Sequence, residues 1–421
     1  MTAVADRPDL LPSAPSVPTR PSTARLALLL GAFVAIGPLT IDMYLPALPT
    51  IRQELGTTSA QVQLTLTGTL VGLALGQLLI GPLSDSLGRR RPMLAGTALH
   101  VVASLLVLIA PSVAVLGVLR VLQGVGCAAT GVVAMAMVRD LFAGRAAATM
   151  LSRLFLVMGV APVLAPTIGG ELLRFTSWRG VFAFLAVYGL ALLALGAWGV
   201  RETLPAEHRR AGGLRGTGAV YRSLLRDRTY VGLVLVAGLS MAALFTYVAG
   251  SSFVYQRQFG LDEQQFGLLF GTGAFWLITA TQLNPVLLRR WSAARILVAA
   301  TAAGTLAAAV LVVVAASAGG VLAVAGGLWA VLFCAGLALP NAPALALSRY
   351  GDRAGAAAAL LGAVQFGVGA AVSPVVGLLG NDATAMGAVI ALALLLGLVV
   401  LVVVARPWLL PEPEDAVVPA H

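Results

Sequence analysis

The 421-residue sequence contains no lysine; all 27 of its basic side chains are arginine. That absence excludes a Walker A phosphate loop, whose GxxxxGK[ST] pattern needs the lysine. It also excludes Schiff-base chemistry on this chain. Charge of either sign is scarce, at 10% of residues, where soluble domains carry roughly 25%. Three histidines and two cysteines offer little material for a metal cluster or a nucleophile–base pair, so enzymatic activity is not expected. Cys127 and Cys334 both fall in apolar runs, where buried free thiols are expected rather than a disulfide.

What is present is hydrophobic: 59% of residues, with a mean hydropathy of +0.94 and 47 glycines suited to close helix packing. The runs are continuous and near twenty residues, which fits membrane-spanning helices and not the ten-residue alternation of a β-barrel. They fall near 25–50, 60–83, 93–111, 113–138, 147–172 and 177–200, then near 229–255, 263–288, 294–317, 319–347, 354–380 and 383–405. The expected fold is therefore all-α: a polytopic membrane protein of twelve helices in two pseudo-symmetric six-helix halves, 25–200 and 229–405. Residues 201–228, with seven arginines, read as a polar linker; 1–24, rich in Pro, Ser and Thr, as a disordered tail; and 406–421 as a second tail. No cleavage site follows the first run, which is read as a retained helix.

The arginines orient the chain. With the N-terminus placed in the cytoplasm, 22 arginines fall in inside segments and four (Arg52, Arg174, Arg179, Arg257) outside, leaving Arg120 within a span. This split follows the positive-inside rule and places both termini in the cytoplasm. The arginine-for-lysine bias and heavy alanine usage suggest a GC-rich bacterial genome, so the expected location is a bacterial cytoplasmic membrane. The split also removes the nucleic-acid reading of a net charge of +10, because the excess is spread over loops instead of one patch. The halves look related: residues 139–170 resemble residues 349–380, with Arg139 matching Arg349 and Pro166–Gly169 matching Pro374–Gly377.

One stretch resists the pattern. "GPLTIDMYLP", residues 37–46, sets Asp42 inside the first span, where a lone acid costs at least ~2.5 kcal/mol and calls for a partner or a purpose. Asp42 lies ~25 Å along its helix from Arg25, and Arg120 ~10 Å from the outer end of span 4, so their depths are similar. Desolvation and a neighbouring arginine push a carboxyl in opposite directions, which suits a group that gains and loses a proton. Asp42 is read as the only acid within a span. His100 in span 3 is titratable, but a lone membrane histidine more often packs. Tyr247, Phe275, Trp276, Gln365 and Phe366 are candidates for an apolar cavity, each weighed against a packing role.

Four motifs carry a resemblance. Gly81, Asp85, Gly88, Arg89 and Arg90, in "GPLSDSLGRRRPML", resemble the gating turn of the major facilitator superfamily. Its counterpart "NPVLLRRW" (284–291) keeps the arginine pair and lacks the acid. Arg120 and Gln123, followed by Gly124 and Gly126, resemble the span 4 pattern of that superfamily. Gly159, Pro162, Pro166, Gly169 and Gly170 resemble its antiporter motif, with Ala165 replacing the usual glycine before the second proline. Asp42, Tyr44, Leu45 and Pro46, with "RDLF" and "TSWRGVFAFLAVYG", are similar to the Bcr/CflA-type drug-resistance transporters, which export bicyclomycin, phenicols and related compounds.

The resemblance implies a proton-coupled antiporter exporting drugs by alternating access. It implies proton coupling through Asp42 and Arg120, with Tyr44 and Gln123 at the substrate. The proton gradient is the only coupling agent expected, with no cofactor and no metal. The expected partners are a small-molecule drug, protons and the lipid bilayer, with the chain acting as a monomer. A proton-linked importer or metabolite exporter on the same fold is the competing reading.

Overall fold

The computed structural model describes residues 23–209, 217–350, 353–406 and 408. The expected tail 1–24 thus lies outside the described residues apart from Thr23 and Ala24, and 406–421 lies almost wholly outside them. Twelve long helices make up the first half, α1 (Thr23–Asp42), α2 (Ser59–Leu87), α3 (Arg90–Val107), α4 (Val113–Leu141), α5 (Gly144–Leu173) and α6 (Trp178–Gly199), and the second, α7 (Arg228–Phe253), α8 (Glu263–Leu287), α9 (Ala293–Ala316), α10 (Val321–Leu347), α11 (Ala354–Val372) and α12 (Ala383–Val400). No strand occurs among the described residues. Helices are the form in which an apolar run satisfies its own backbone without water.

Two expected spans take a different shape. The third run, read at 93–111, becomes Arg90–Val107, because the chain turns at Leu108–Ala110 ahead of Pro111. At 18 residues and headed by two arginines, α3 is the one long helix not counted among the 11 that are long and apolar enough to cross a membrane. The first run does not continue unbroken to 50. It stops at Asp42, passes through a short turn at Leu45–Ala47, and resumes as a helix over Leu48–Glu54. Pro46 and Pro49 explain the break, since each lacks an N–H and constrains the residue before it. Between the halves, the segment 201–228 contains a turn at Ala206–His208 and a helix at Thr217–Leu224.

The packing pattern of the first half recurs in the second. α2 packs on α4 as α8 does on α10, α3 on α4 as α9 on α10, α1 on α5 as α7 on α11, and α3 on α6 as α9 on α12. The halves meet along two seams, α2 with α11 and α5 with α8. These seams exchange with each other when the halves are exchanged.

At the end of the bundle that holds Asp42, polar contacts join the halves. Gln63 Nε2 on α2 donates to Ala249 O at 3.1 Å and to Asn381 Oδ1 at 2.7 Å. Thr67 lies 3.4 Å from Ser373 through their hydroxyls. Gln256 Nε2 donates to Pro46 O at 2.9 Å, and Gln264 Nε2 to Gly170 O at 3.0 Å. At the opposite end, where Arg89 lies, the ion pairs stay within the first half.

Candidate functional site

Asp42 is the last residue of α1 and only 4% exposed. Carbonyls at the C-terminal end of a helix carry partial negative charge, so stabilising an ionised Asp42 falls to a cation. Arg120, on α4, supplies one: it is fully buried and its charge reaches Asp42, although no ion pair joins the two among the described residues. The Arg120 guanidinium instead lies 4.1 Å over the ring of Tyr44, with Phe182 at 5.6 Å. A desolvated cation over aromatic faces gains from the ring quadrupole. Arg120 is therefore no snorkelling side chain.

A chain of hydrogen bonds fixes it. Arg120 Nη1 donates to Gln123 Oε1 at 2.9 Å; Gln123 Nε2 donates to Ser104 Oγ at 2.7 Å; Ser104 Oγ donates to His100 O at 2.7 Å. His100 Nε2 lies 2.8 Å from Thr40 Oγ1, two residues before Asp42. The network thus ties α1, α3 and α4 together. Arg120 Nε and Nη2, and His100 Nδ1, are buried without a protein partner. A buried guanidinium with two spare nitrogens beside an unpaired carboxyl can accept a ligand acceptor, a water or the carboxylate itself.

Thr40, Ser104 and Phe182 did not stand out in the sequence. His100 and Ser104 do fall four apart, on one face of α3, which is the one signal that pointed to a polar stripe. Asp42 is also not alone as an acid within a helical run: Glu171 lies in the last turn of α5 and Glu263 opens α8. Glu171 differs in being half-exposed and paired with Arg174 at 3.1 Å.

The apolar candidates of the second half are placed unequally. Tyr247 is buried, stacked on Phe270 with centroids 5.0 Å apart, and stands within electrostatic reach of Asp42 across the halves. Phe366 is half-buried against Phe245 at 6.1 Å, and Gln365 beside it is half-buried. Phe275 and Trp276, 58% and 39% exposed, have each other and Phe333 as ring partners instead of the Asp42 cluster.

At the other end, the Gly81–Arg90 turn is held by acids from elsewhere. Arg89 is buried and pairs with Asp140 at 2.8 Å and with Asp85 on its own turn. Burial opposes its charge, but the hydrogen bonds of Asp140 and Asp85 hold its pKa above the usual arginine value. Gly88 has φ +88°, and a Cβ there would stand 2.4 Å from Glu202 Oε2. Glu202 Oε1 accepts the Arg89 backbone N–H at 2.7 Å and Oε2 that of Arg90 at 3.3 Å. Partial burial pushes the Glu202 carboxyl up, yet these N–H groups and those of Thr203 and Leu204 hold it below the usual carboxylate range. Among the described residues, no group of three His, Cys, Asp or Glu could hold a metal ion.

The family described as Major Facilitator Superfamily matches residues 28–374. The chain belongs to the major facilitator superfamily. Within it, the chain is 36% identical to the uncharacterized MFS-type transporter YdgK of Bacillus subtilis (strain 168), over 90% of this chain and 95% of that one. It is 32% identical to a bicyclomycin resistance protein homolog of Haemophilus influenzae, over 89% and 95%. A chloramphenicol resistance protein of Pseudomonas aeruginosa shares 34% over 66% and 65%. Among solved structures, the human organic anion transporter MFSD10 (TETRAN) superposes with TM-score 0.65 at 19% identity, covering 91% of this chain and 100% of that one. A D-xylose-proton symporter gives TM-score 0.68 at 17% identity, covering 89% and 96%. These two likenesses concern the fold alone.

In this superfamily member the Gly159–Gly170 motif lies at the junction of three helices. Pro162 and Pro166 sit inside the continuous helix α5. A Cβ on Gly169 would stand 1.9 Å from Met43 O, so α5 touches α1 at the residue after Asp42. The neighbouring Gly170 faces the backbone of Glu263 on α8. The motif therefore joins the Asp42 turn to a seam between the halves.

Proposed function

We propose that this protein exports drug-like small molecules across the cell membrane in exchange for protons. The observation that carries this reading is the Asp42–Tyr44–Arg120 cluster: a buried acid and a buried cation, close but unpaired, on two helices of one half, next to the seam with the other. Burying one charge without a partner is costly, so a proton, a substrate or a rearrangement that brings Asp42 and Arg120 together changes the energy of the site. Relatives named for resistance to bicyclomycin and chloramphenicol support a drug as the cargo.

The arginine-rich Arg89 end faces the cytoplasm in this reading, and the Asp42 end faces outward. The polar contacts that join the halves at the Asp42 end then correspond to a conformation sealed outward and receptive to drug from inside. Drug engages Tyr44 and the spare nitrogens of Arg120 while Asp42 is relieved of its proton. Rocking of the halves opens the Asp42 end, where a proton returns to Asp42 and the drug departs.

Everted vesicles with an acidified lumen test it. Adding drug should release luminal protons with the wild-type protein, and Asp42→Asn should abolish the release. Absence of drug-dependent proton release, or wild-type export by Asp42→Asn under a proton gradient, would overturn the coupling.

A further inference from the structure

The two arginine-pair turns, one in each half, are held differently. In the first half Arg89 pairs with Asp85 and Asp140, while Arg90 donates through Nε to Val200 O at 2.9 Å and through Nη2 to Ala197 O at 2.7 Å. In the second half residues 288–292 join α8 to α9 and carry Arg289 and Arg290. α8 starts at the Asp42 end, where Glu263 meets Gly170, so this turn lies at the Arg89 end. Matching the arginine pairs puts Pro285 in the place of Asp85, and matching Arg139 to Arg349 puts Tyr350 in the place of Asp140. Neither can offer a carboxylate. Asp227, which accepts from the Tyr350 hydroxyl, is also taken up by the backbone N–H groups of Thr229 and Tyr230. Arg289, Arg290 and the nearby Arg295 are exposed, and their guanidinium groups have no hydrogen-bond or ion-pair partner among the described residues. Beside them stand Val286, Leu288 and Trp291, apolar side chains that are exposed as well.

From this difference we infer a binding surface for an anionic phospholipid at the α8–α9 turn, its phosphate on Arg289 and Arg290 in the place of the carboxylates that the first half supplies itself. A free guanidinium presents a fork of N–H donors that matches phosphate oxygens two at a time. Val286 and Leu288, at the end of α8, offer the start of the acyl chains an apolar flank that a soluble anion would leave in water. Exposed tryptophan is the side chain that settles at headgroup level, with its ring body apolar and its N–H polar. Clusters of arginine at the cytoplasmic ends of membrane helices are where anionic headgroups gather. The surface lies at the opposite end of the bundle from the Asp42 cluster, and it does not depend on what is transported or in which direction.

Reconstitution of the full chain into phosphatidylcholine vesicles with a minor fraction of brominated phosphatidylglycerol tests it. The emission of Trp291, taken as the difference between wild type and Trp291→Phe, should be quenched beyond what the bulk fraction of the label gives. This measurement needs no arginine variant to fold. Arg289→Gln and Arg290→Gln should each weaken that enrichment about fivefold. Pro285→Asp, which sets a carboxylate four residues before Arg289 as Asp85 stands before Arg89, should weaken it too. Moving the bromine to phosphatidylcholine should leave Trp291 less quenched than the bulk fraction predicts. Quenching at the bulk fraction in the wild type, or an enrichment unchanged in the Arg289→Gln/Arg290→Gln double variant, would overturn the proposal. Loss of the enrichment to millimolar inorganic phosphate would overturn it in favour of a simple anion site. If enrichment emerged only on removing residues 409–421, the carboxylates of Glu412, Glu414 and Asp415 would be the occupants and the lipid assignment would fall.

Discussion

Arg120 and Asp42 set the energetics of the site residue by residue. Replacing Arg120 by Gln removes a buried cation whose charge reaches Asp42 and should lower stability. The loss should be less than the roughly 3–5 kcal/mol that breaking a contacting buried pair costs, because no ion pair joins the two among the described residues and a buried carboxyl without a counter-charge takes up a proton. Thermal unfolding in detergent should show this loss for Arg120→Gln, and the double variant Asp42→Asn/Arg120→Gln should recover most of it. Equal melting temperatures for single and double variants would mean that the two charges do not interact. Drug export should be absent in both, because the cation is gone from each and the titrating group from the double variant as well. The acid, the arginine and Gln123 were legible as residue types that a membrane span carries only for a reason. The cation–π contact with Tyr44 and the Thr40–His100 bond were not, because they depend on which faces of α1, α3 and α4 meet. An apolar helix carries no periodic signal for that: all its faces are hydrophobic.

Among the elements, α5 and the turn between α2 and α3 make opposite demands on their glycines. Gly169→Ala would drive a methyl into the Met43 carbonyl, and overpacking of this kind costs about 1–3 kcal/mol. It should also impair export, because the displaced segment is the turn after Asp42. Gly159→Ala is the control: its Cβ would meet Ile278 at 3.6 Å, an ordinary contact, and both stability and export should stay near wild type. At the α2–α3 turn, Glu202→Gln removes a charged acceptor for several N–H groups and should lower stability at neutral pH by up to about 1 kcal/mol, the solvent around this exposed carboxylate screening the rest. The folded pKa of Glu202 is depressed, so its contribution is fully present above the unfolded value of about 4.3 and is lost as pH falls through the lower folded value. Melting curves of wild type and Glu202→Gln should therefore converge on acidification; a gap that persisted below that range would assign the stability to packing. The motif residues Gly81 to Arg90 were visible in the sequence, whereas Asp140 and Glu202, which hold the turn, come from 51 and 113 residues away from Arg89.

For the whole molecule, the decisive contacts are those between halves. Thr67 and Ser373 face each other across the α2–α11 seam at the Asp42 end, with 3.4 Å between hydroxyl oxygens. In a background lacking Cys127 and Cys334, Thr67→Cys/Ser373→Cys should cross-link readily in resting membranes, and the cross-linked protein should not export. Imposing a proton gradient with drug present should slow the cross-linking as that end opens. Cross-linking that leaves export intact would mean that the seam does not part during the cycle.

The exchange of seams has a further implication. A contact set that maps onto itself when its two sides trade places is the geometry of a two-fold homodimer, here folded into one chain. In such a dimer the partners are interchangeable, and neither leads. This chain places its buried acid–cation cluster in one partner alone, since Asp42 and Arg120 have no counterpart among the described residues of α7 to α12. On the proton coupling proposed above, the first half is the one that senses the proton, and the second is a mechanical twin that must be told of it through the α5–α8 and α2–α11 seams. Selection on the second half should accordingly act on how it grips its twin more than on any chemistry of its own.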